Sequence, residues 1–173
     1  IRVYDDGMAY RFISHRKTPF FIASEEATFL FPSDFKTYVP YVREAFNGTD
    51  QFQNSFENIY THTELSKVNP DKLCFLPVLV EAMNGKKVCI TEVDLESYPG
   101  MFLQNRSGKP ILNGTFASYP AKTEQSGNNM LKQRVLEREN YIAKAGGARE
   151  FPWRVAIVST EDKQLVVSDM TYK

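Results

Sequence analysis

The sequence predicts an all-β fold of the sandwich or barrel type. Short stretches of alternating apolar and polar residues recur along the chain, separated by turn-forming residues at intervals of roughly 8–12 residues. The chain has 173 residues, of which 42% are apolar and 13% aromatic, enough to bury one substantial core. We therefore expect residues 1–173 to form a single β-sandwich domain.

The first half of the chain is predicted to begin with a hairpin. Residues 2–13 alternate in character around the tight turn Asp5-Asp6-Gly7, and a further strand is expected at residues 27–31. Between residues 34 and 63 the pattern weakens, and residues 47–50 read as a turn. This segment is predicted to be long and partly irregular.

A central hairpin is predicted around the dipeptide Asn84-Gly85. Within residues 73–83, apolar residues occupy both odd and even positions, which would point to opposite faces of a strand. This pattern predicts a strand covered on both faces. Pro77 within that strand requires a bulge or an edge position. The chain is then expected to return through Val88 and Ile90 as the partner strand.

The second half is predicted to contain more short strands. Residues 130–144 combine helical spacing with strand-favouring residues, so both assignments stay open there. The strands are expected at residues 101–103, 111–112, 115–119, 155–158 and 165–167, the last two as a hairpin.

One strand of the central hairpin carries a row of carboxylates. If residues 90–96 are extended, Glu92, Asp94 and Glu96 share one face. Neighbours in such a row lie ~6.7 Å apart, where two bare charges repel by about 2–3 kcal/mol at an effective dielectric of about 20. Water and salt relieve this repulsion on an exposed face, and a hard cation relieves it in a binding site. Calcium takes about six to eight oxygen ligands, so a site here would need ligands from elsewhere.

Charge and composition argue against several classes of partner and site. With 21 basic and 21 acidic residues the net charge is zero, so no overall field attracts nucleic acid or an anionic membrane. A glycine-rich phosphate loop, a nucleophile elbow and paired histidine ligands are absent from the sequence, and His15 and His62 are scattered. Cys74 and Cys89 are about six residues apart along the predicted ladder, too far for a disulfide, so two buried thiols are expected.

Several stretches resemble one enzyme family. They are Ile90-Thr91-Glu92-x-Asp94-Leu95-x-x-Tyr98-Pro99-Gly100-Met101-Phe102-Leu103, Arg149-x-Phe151-Pro152-Trp153-Arg154, Ser168-Asp169-Met170-x-Tyr172-Lys173 and Val3-Tyr4-x-Asp6-Gly7-x-Ala9-Tyr10-Arg11. Together they are similar to the N-terminal domain of glycoside hydrolase family 97, bacterial α-glucosidases and α-galactosidases. The similarity covers most of the chain.

This resemblance implies the fold and the wider protein. It implies a β-super-sandwich related to galactose mutarotase sandwiches, followed in the family by a catalytic (β/α)8 barrel and a small C-terminal β-domain. The catalytic carboxylates of the family lie in the barrel, so the chain is expected to be a non-catalytic fragment of an enzyme that cleaves α-linked oligosaccharides. The start at Ile1, within a predicted strand, agrees with this expectation. The resemblance also implies a periplasmic or cell-surface location.

The resemblance further implies roles for particular residues. By motif match Glu92 is the glutamate that the N-terminal domain lends to a calcium ion held mostly by the barrel, whereas Asp94 and Glu96 are expected to be surface or turn residues. Phe151, Trp153 and Arg154 are expected to pack where the sandwich meets the barrel, with direct sugar stacking as the alternative.

Two other functions remain open at this stage. An autonomous carbohydrate-binding module would need aromatic side chains presented as an exposed platform. A free-standing mutarotase-like enzyme would need a histidine and a carboxylate in a cleft, for which His15 or His62 could serve.

Overall fold

The structure is an all-β sandwich, as the sequence predicted. The computed structural model describes residues 1–43 and 50–173, without the side chain of Asn128. Its strands are β1 (Arg2–Tyr4), β2 (Gly7–Tyr10), β3 (Ile13–Ser14), β4 (Phe20–Ile22), β5 (Thr28–Leu30), β6 (Lys36–Val39), β7 (Thr61–Glu64), β8 (Val78–Glu81), β9 (Lys87–Val93), β10 (Met101–Gln104), β11 (Ile111–Phe116), β12 (Pro120–Ser126), β13 (Lys132–Arg138), β14 (Ala143–Ala145), β15 (Arg149–Glu150) and β16 (Trp153–Ser159). A short helix α1 spans Asp162–Val166, and 3₁₀ turns occupy Leu65–Lys67, Met83–Gly85, Asn128–Met130 and Met170–Tyr172.

Two antiparallel sheets form the layers of the sandwich. Within the described ranges, the larger sheet has seven strands in the order β1-β2-β16-β9-β8-β6-β7, and the smaller has the order β10-β11-β5. Strand pairs β12-β13, β14-β4 and β15-β3 flank them.

The core lies between the two sheets. Val78, Val80 and Ile90 come from the larger sheet, Leu103 and Leu112 from the smaller, and all five are fully buried in one cluster. Burying each such side chain stabilises the fold by about 1.5–3 kcal/mol. Side chains alternate between the two faces along β8 and β9, and this alternation decides which residues face the smaller sheet.

The opposite face of the larger sheet is covered by the C-terminal segment. Val155 and Ile157 of β16 pack there with Ala9 and with Met170 of the last 3₁₀ turn. Because side chains alternate along β16, Arg154 points to the other side, into the sandwich. The two faces of β16 therefore differ, with apolar packing on the outer face and Arg154 on the inner one.

Two of the three predicted hairpins are present, one with a changed register. In the first, Tyr4 pairs with Gly7 across the Asp5-Asp6 turn. In the second, a two-residue turn at Asn84-Gly85 would place position 80 opposite Cys89, whereas Cys89 pairs with Leu79. The reason is a three-residue turn, Met83–Gly85, in which Asn84 and Gly85 have φ of 59° and 70°.

The predicted strand over residues 73–83 was too long. Its strand portion is β8 alone, and Pro77 precedes it, so the expected bulge or edge position is not needed. β8 is an interior strand between β6 and β9. Cys74, before Pro77, forms isolated bridges with Tyr41 and Leu103 instead.

The predicted hairpin partner of residues 155–158 is also wrong. Both edges of β16 are already paired, with β2 on one side and β9 on the other, so residues 165–167 have no edge to join. Residues 162–166 form α1 instead. Elsewhere, residues 111–116 form one strand, and the open segment 130–144 contains β13 and β14.

The remaining structural predictions have mixed outcomes. Cys74 and Cys89 are free thiols, and burial raises the pKa of Cys74 to about 12, but Cys89 is only half-buried. The turn predicted at residues 47–50 lies outside the described residues except for its last position. None of the helices in the described part of the chain is long and apolar enough to cross a membrane.

Candidate functional site

The expected row of three carboxylates does not form. β9 ends at Val93, and Asp94 adopts a left-handed conformation with φ of 65°, which turns the chain out of the strand. Asp94 Oδ2 lies 3.3 Å from Arg11 Nη1, and the main-chain carbonyl of Glu96 accepts a 2.9 Å hydrogen bond from Arg149 Nη2. Asp94 and Glu96 are thus exposed turn residues, and Glu92 stands apart from them.

Glu92 points into the sandwich and is held on two sides. Its Oε2 accepts a 2.6 Å bond from Arg154 Nη1, and the backbone N–H of Met101 lies 3.0 Å from each carboxylate oxygen. These partners come from β16, which pairs Arg154 with Glu92 in register, and from the first residue of β10. The Glu92 side chain keeps 14% of its surface exposed.

Arg154 joins Glu92 to a second carboxylate. Its Nε and Nη2 donate to the two oxygens of Glu25 at 2.7 and 2.8 Å, and the guanidinium carbon lies 4.9 Å from the ring centroid of Phe116. The Arg154 and Glu25 side chains are 1% and 5% exposed. We call Glu25, Glu92 and Arg154 the carboxylate–arginine triad.

The triad carries one excess negative charge when both carboxylates are ionised. Burial raises the pKa of Glu92, against the opposing effects of the Met101 N–H and of Arg154. Burial and the neighbouring Glu25 raise the pKa of Tyr98, whose phenol hydrogen-bonds to Glu25. The surroundings thus disfavour negative charge on Glu92 and Tyr98. A cation beside Glu92 would stabilise its ionised carboxylate.

One oxygen of Glu92 retains acceptor capacity. In the described part of the chain, Oε1 is hydrogen-bonded by the Met101 N–H, whereas Oε2 also binds Arg154. A Cβ atom at position 100 would lie 3.2 Å from Oε1 and cover it. Gly100 has no Cβ atom and leaves that side of Oε1 uncovered. A hard, partly exposed carboxylate oxygen on a net-negative cluster fits calcium as one ligand of several.

Phe151 and Trp153 lie on different sides of the same segment. Phe151 is 8% exposed and meets Tyr98 edge to face, with ring centroids 5.5 Å apart. Two guanidinium groups lie over the Trp153 ring, Arg2 at 4.8 Å and Arg11 at 4.5 Å from its centroid. The packing of Phe151, Trp153 and Arg154 against a barrel stays a prediction. Of the three, Trp153 keeps the most surface for it.

Sequence reasoning missed Glu25. It lies 129 positions from Arg154, in a segment without periodicity. The one available signal was Arg154 itself, because an arginine on the inward face of a buried strand needs a carboxylate partner. Nothing in the sequence indicated which carboxylate that is.

The histidine–carboxylate pair considered for mutarotase chemistry is found on the surface. His62 Nε2 lies 3.2 Å from Glu81 Oε2, and the His62 ring stacks on Tyr38 at 4.2 Å. Their side chains are 39% and 36% exposed. The pair therefore lies on an open sheet face rather than in a closed cleft.

Comparison with known proteins decides the family. A family model described as Glycosyl-hydrolase 97 N-terminal matches residues 1–173. The chain belongs to this family.

A curated relative is much longer than this chain. The chain is 48% identical over 173 residues to a retaining alpha-galactosidase of Bacteroides thetaiotaomicron, covering 99% of the chain and 26% of that protein. It thus spans about a quarter of the length of this curated relative.

Solved structures support the fold. A glycoside hydrolase family 97 enzyme from Pseudoalteromonas sp. strain K8, in complex with acarbose, matches with a TM-score of 0.69 at 19% identity, over 96% of this chain and 21% of that one. A beta-arabinopyranosidase matches with a TM-score of 0.68 at 21% identity, over 92% and 24%. At these identities the likeness concerns the fold alone.

Proposed function

We propose that the chain is the non-catalytic N-terminal sandwich of a larger calcium-dependent α-glycosidase. In this proposal it packs on the catalytic (β/α)8 barrel and lends Glu92 to a calcium ion shared with that barrel. Two findings favour a non-catalytic domain of a larger enzyme. The family model matches residues 1–173, and the chain is 48% identical to a relative about four times longer.

The observation that carries the calcium role is the geometry of Glu92. Its partly exposed carboxylate has one oxygen with spare acceptor capacity, in a triad of two carboxylates and one arginine. Arg154 and the Met101 N–H fix the direction of this carboxylate, so little conformational freedom remains to be lost on metal binding. When bound, calcium would act as a Lewis acid and orient substrate oxygens.

The substrate proposed for the whole protein is an α-linked oligosaccharide. The 48% identical relative is named an alpha-galactosidase, which favours an α-galactoside, and α-glucosides remain the second choice. A periplasmic or cell-surface location is part of the same proposal and rests on the family resemblance.

Hydrolysis assays test the division of labour. The 173-residue chain and the whole protein that carries it are each incubated with p-nitrophenyl α-galactoside and p-nitrophenyl α-glucoside. We expect the whole protein to release p-nitrophenol from one of them and the chain alone to release none. Release by the chain alone would refute the non-catalytic role, and inactivity of the whole protein on both would refute the α-glycosidase.

A further inference from the structure

Glu25 lies behind the carboxylate proposed as a calcium ligand. Its side chain is 5% exposed, and its two oxygens accept from Arg154 Nε and Nη2 at 2.7 and 2.8 Å. The third nitrogen of the guanidinium, Nη1, donates to Glu92 Oε2 at 2.6 Å. Hydrogen bonds thus run from Glu25 through Arg154 to Glu92.

The paired bonds to Glu25 fix the orientation of the Arg154 guanidinium. This group is planar and holds its N–H donors at fixed angles, so two parallel bonds to one carboxylate set both its plane and its rotation within that plane. The Phe116 ring, whose centroid is 4.9 Å from the guanidinium carbon, lies beside the same group. With the Nε and Nη2 edge anchored, Nη1 points in one direction, and Glu92 Oε2 lies there.

Tyr98 anchors Glu25 from the loop that follows β9. Its phenol hydrogen-bonds to Glu25, and its ring meets Phe151 edge to face at 5.5 Å between centroids. Three residues later, the Met101 N–H lies 3.0 Å from each oxygen of Glu92. One segment of the chain therefore holds Glu92 directly and Glu25 through Tyr98.

We propose that Glu25 is a positioning residue for calcium binding. By orienting Arg154 it holds Oε2 of Glu92, so that Oε1 stays directed towards the ion. This role rests on the proposed function, because it presupposes that Glu92 binds calcium. Glu25 is not itself a ligand, since both its oxygens are engaged by Arg154 and its side chain is almost fully buried. Groups that fix a metal ligand from behind typically account for about 10- to 100-fold in metal affinity.

A purely structural role for Glu25 predicts a different result. Glu25 and Arg154 form a buried ion pair, so loss of the pair lowers the stability of the domain in either case. Only the positioning role also lowers the calcium affinity of the protein that stays folded. Calcium affinity, measured beside stability and without any assay of activity, therefore separates the two roles.

Equilibrium dialysis of the metal-depleted whole protein against calcium measures this affinity. We expect Glu25→Gln to weaken calcium binding about tenfold, because an amide NH2 group cannot accept the hydrogen bond from Arg154 Nη2. Tyr98→Phe removes the hydrogen bond to Glu25 and keeps the ring. We expect this variant to bind calcium about threefold more weakly, the effect of one modest hydrogen bond.

Asp50→Asn is the matched control. Asp50 Oδ2 accepts from Arg138 Nε at 2.8 Å, so this change also takes a carboxylate from an arginine, but in a pair that includes no member of the triad. Its calcium affinity should equal that of the wild type. Urea unfolding midpoints verify that each variant is folded.

Glu92→Gln is measured in parallel to keep the two proposals apart. Wild-type affinity in Glu92→Gln, or no calcium binding by the wild type, would refute the calcium role and with it the positioning role. A weakened Glu92→Gln beside wild-type affinity in Glu25→Gln and Tyr98→Phe would overturn the positioning role alone. A loss in Asp50→Asn equal to that in Glu25→Gln would overturn it as well. If Glu25→Gln does not fold, Tyr98→Phe decides in the same way.

Discussion

Arg154 donates to both carboxylate oxygens of Glu25, at 2.7 and 2.8 Å, although 129 positions separate the two residues. The same guanidinium binds Glu92 through its remaining terminal nitrogen. Arg154 thus links three distant parts of the chain inside the sandwich. Because the arginine is almost fully buried, both carboxylates depend on it for their neutralisation.

Removal of Arg154 should strongly destabilise the domain. Arg154→Met leaves Glu25 and Glu92 as buried carboxylates without their cation, and breaking such a pair costs about 3–5 kcal/mol. Urea unfolding at pH 7 measures the change in the free energy of unfolding.

An exposed arginine provides the control for this change. Arg134 is 59% exposed and lies 3.8 Å from Glu124, so Arg134→Met should cost less than about 1 kcal/mol. A loss below about 1 kcal/mol for Arg154→Met would contradict the structural role of the triad.

Gly7 should not tolerate a side chain. A Cβ atom there would lie 2.4 Å from the Ala156 carbonyl oxygen and 3.1 Å from Met170 Cε. Gly7→Ala must therefore push β2 away from β16 or displace the C-terminal turn, at a cost of about 1–3 kcal/mol.

Gly146→Ala is the counterpart of this substitution. Gly146 is exposed, and a Cβ atom there meets nothing within 4 Å in the described part of the structure. Thermal unfolding of the two variants should show a lowered melting temperature for Gly7→Ala alone. Equal melting temperatures would mean that β2 and β16 are not packed as described.

Asp34 should contribute stability that depends on pH. The Ser66 hydroxyl and N–H donate to its carboxylate at 2.6 and 2.8 Å and lower its pKa below the usual value. A carboxyl whose pKa is lower in the folded state stabilises the fold above its unfolded pKa of about 3.9, and this stability is lost as pH falls through the folded pKa.

The comparison of wild type with Asp34→Asn measures this contribution. The wild type should be the more stable at pH 7, and the difference in urea midpoint should shrink on acidification below about pH 4. Ser66→Ala removes the hydroxyl donor and should reduce the pH dependence as well. A difference that grows on acidification would show that the Ser66 contacts do not hold the ionised form.

The sequence predicted the fold class because the class depends on local patterns. Alternation and turn residues located the β1–β2 hairpin and the central hairpin, and the family motifs agree with the sandwich observed. Features that depend on the whole sheet were missed. Residues 165–167 were expected to pair with β16, but β2 and β9 already occupy both edges of that strand.

The candidate site was predictable only in part. Motif resemblance selected Glu92 and Arg154, yet the row with Asp94 and Glu96 failed because Asp94 leaves the strand with a positive φ. The partner Glu25 could not be identified, because its pairing with Arg154 is set by tertiary packing alone.

The proposal depends most on Glu92 acting as a calcium ligand in the whole protein. Calcium is added back to the metal-depleted whole protein, and the recovery of α-glycosidase activity is measured. The wild type is compared with Glu92→Gln and Glu96→Gln. Glu96 lies in the turn after β9, four residues from Glu92, and serves as the carboxylate control. We predict that Glu92→Gln raises the calcium concentration for half-recovery about 10- to 100-fold while Glu96→Gln leaves it unchanged. An unchanged calcium requirement for Glu92→Gln would contradict the claim and leave Glu92 as a purely structural partner of Arg154.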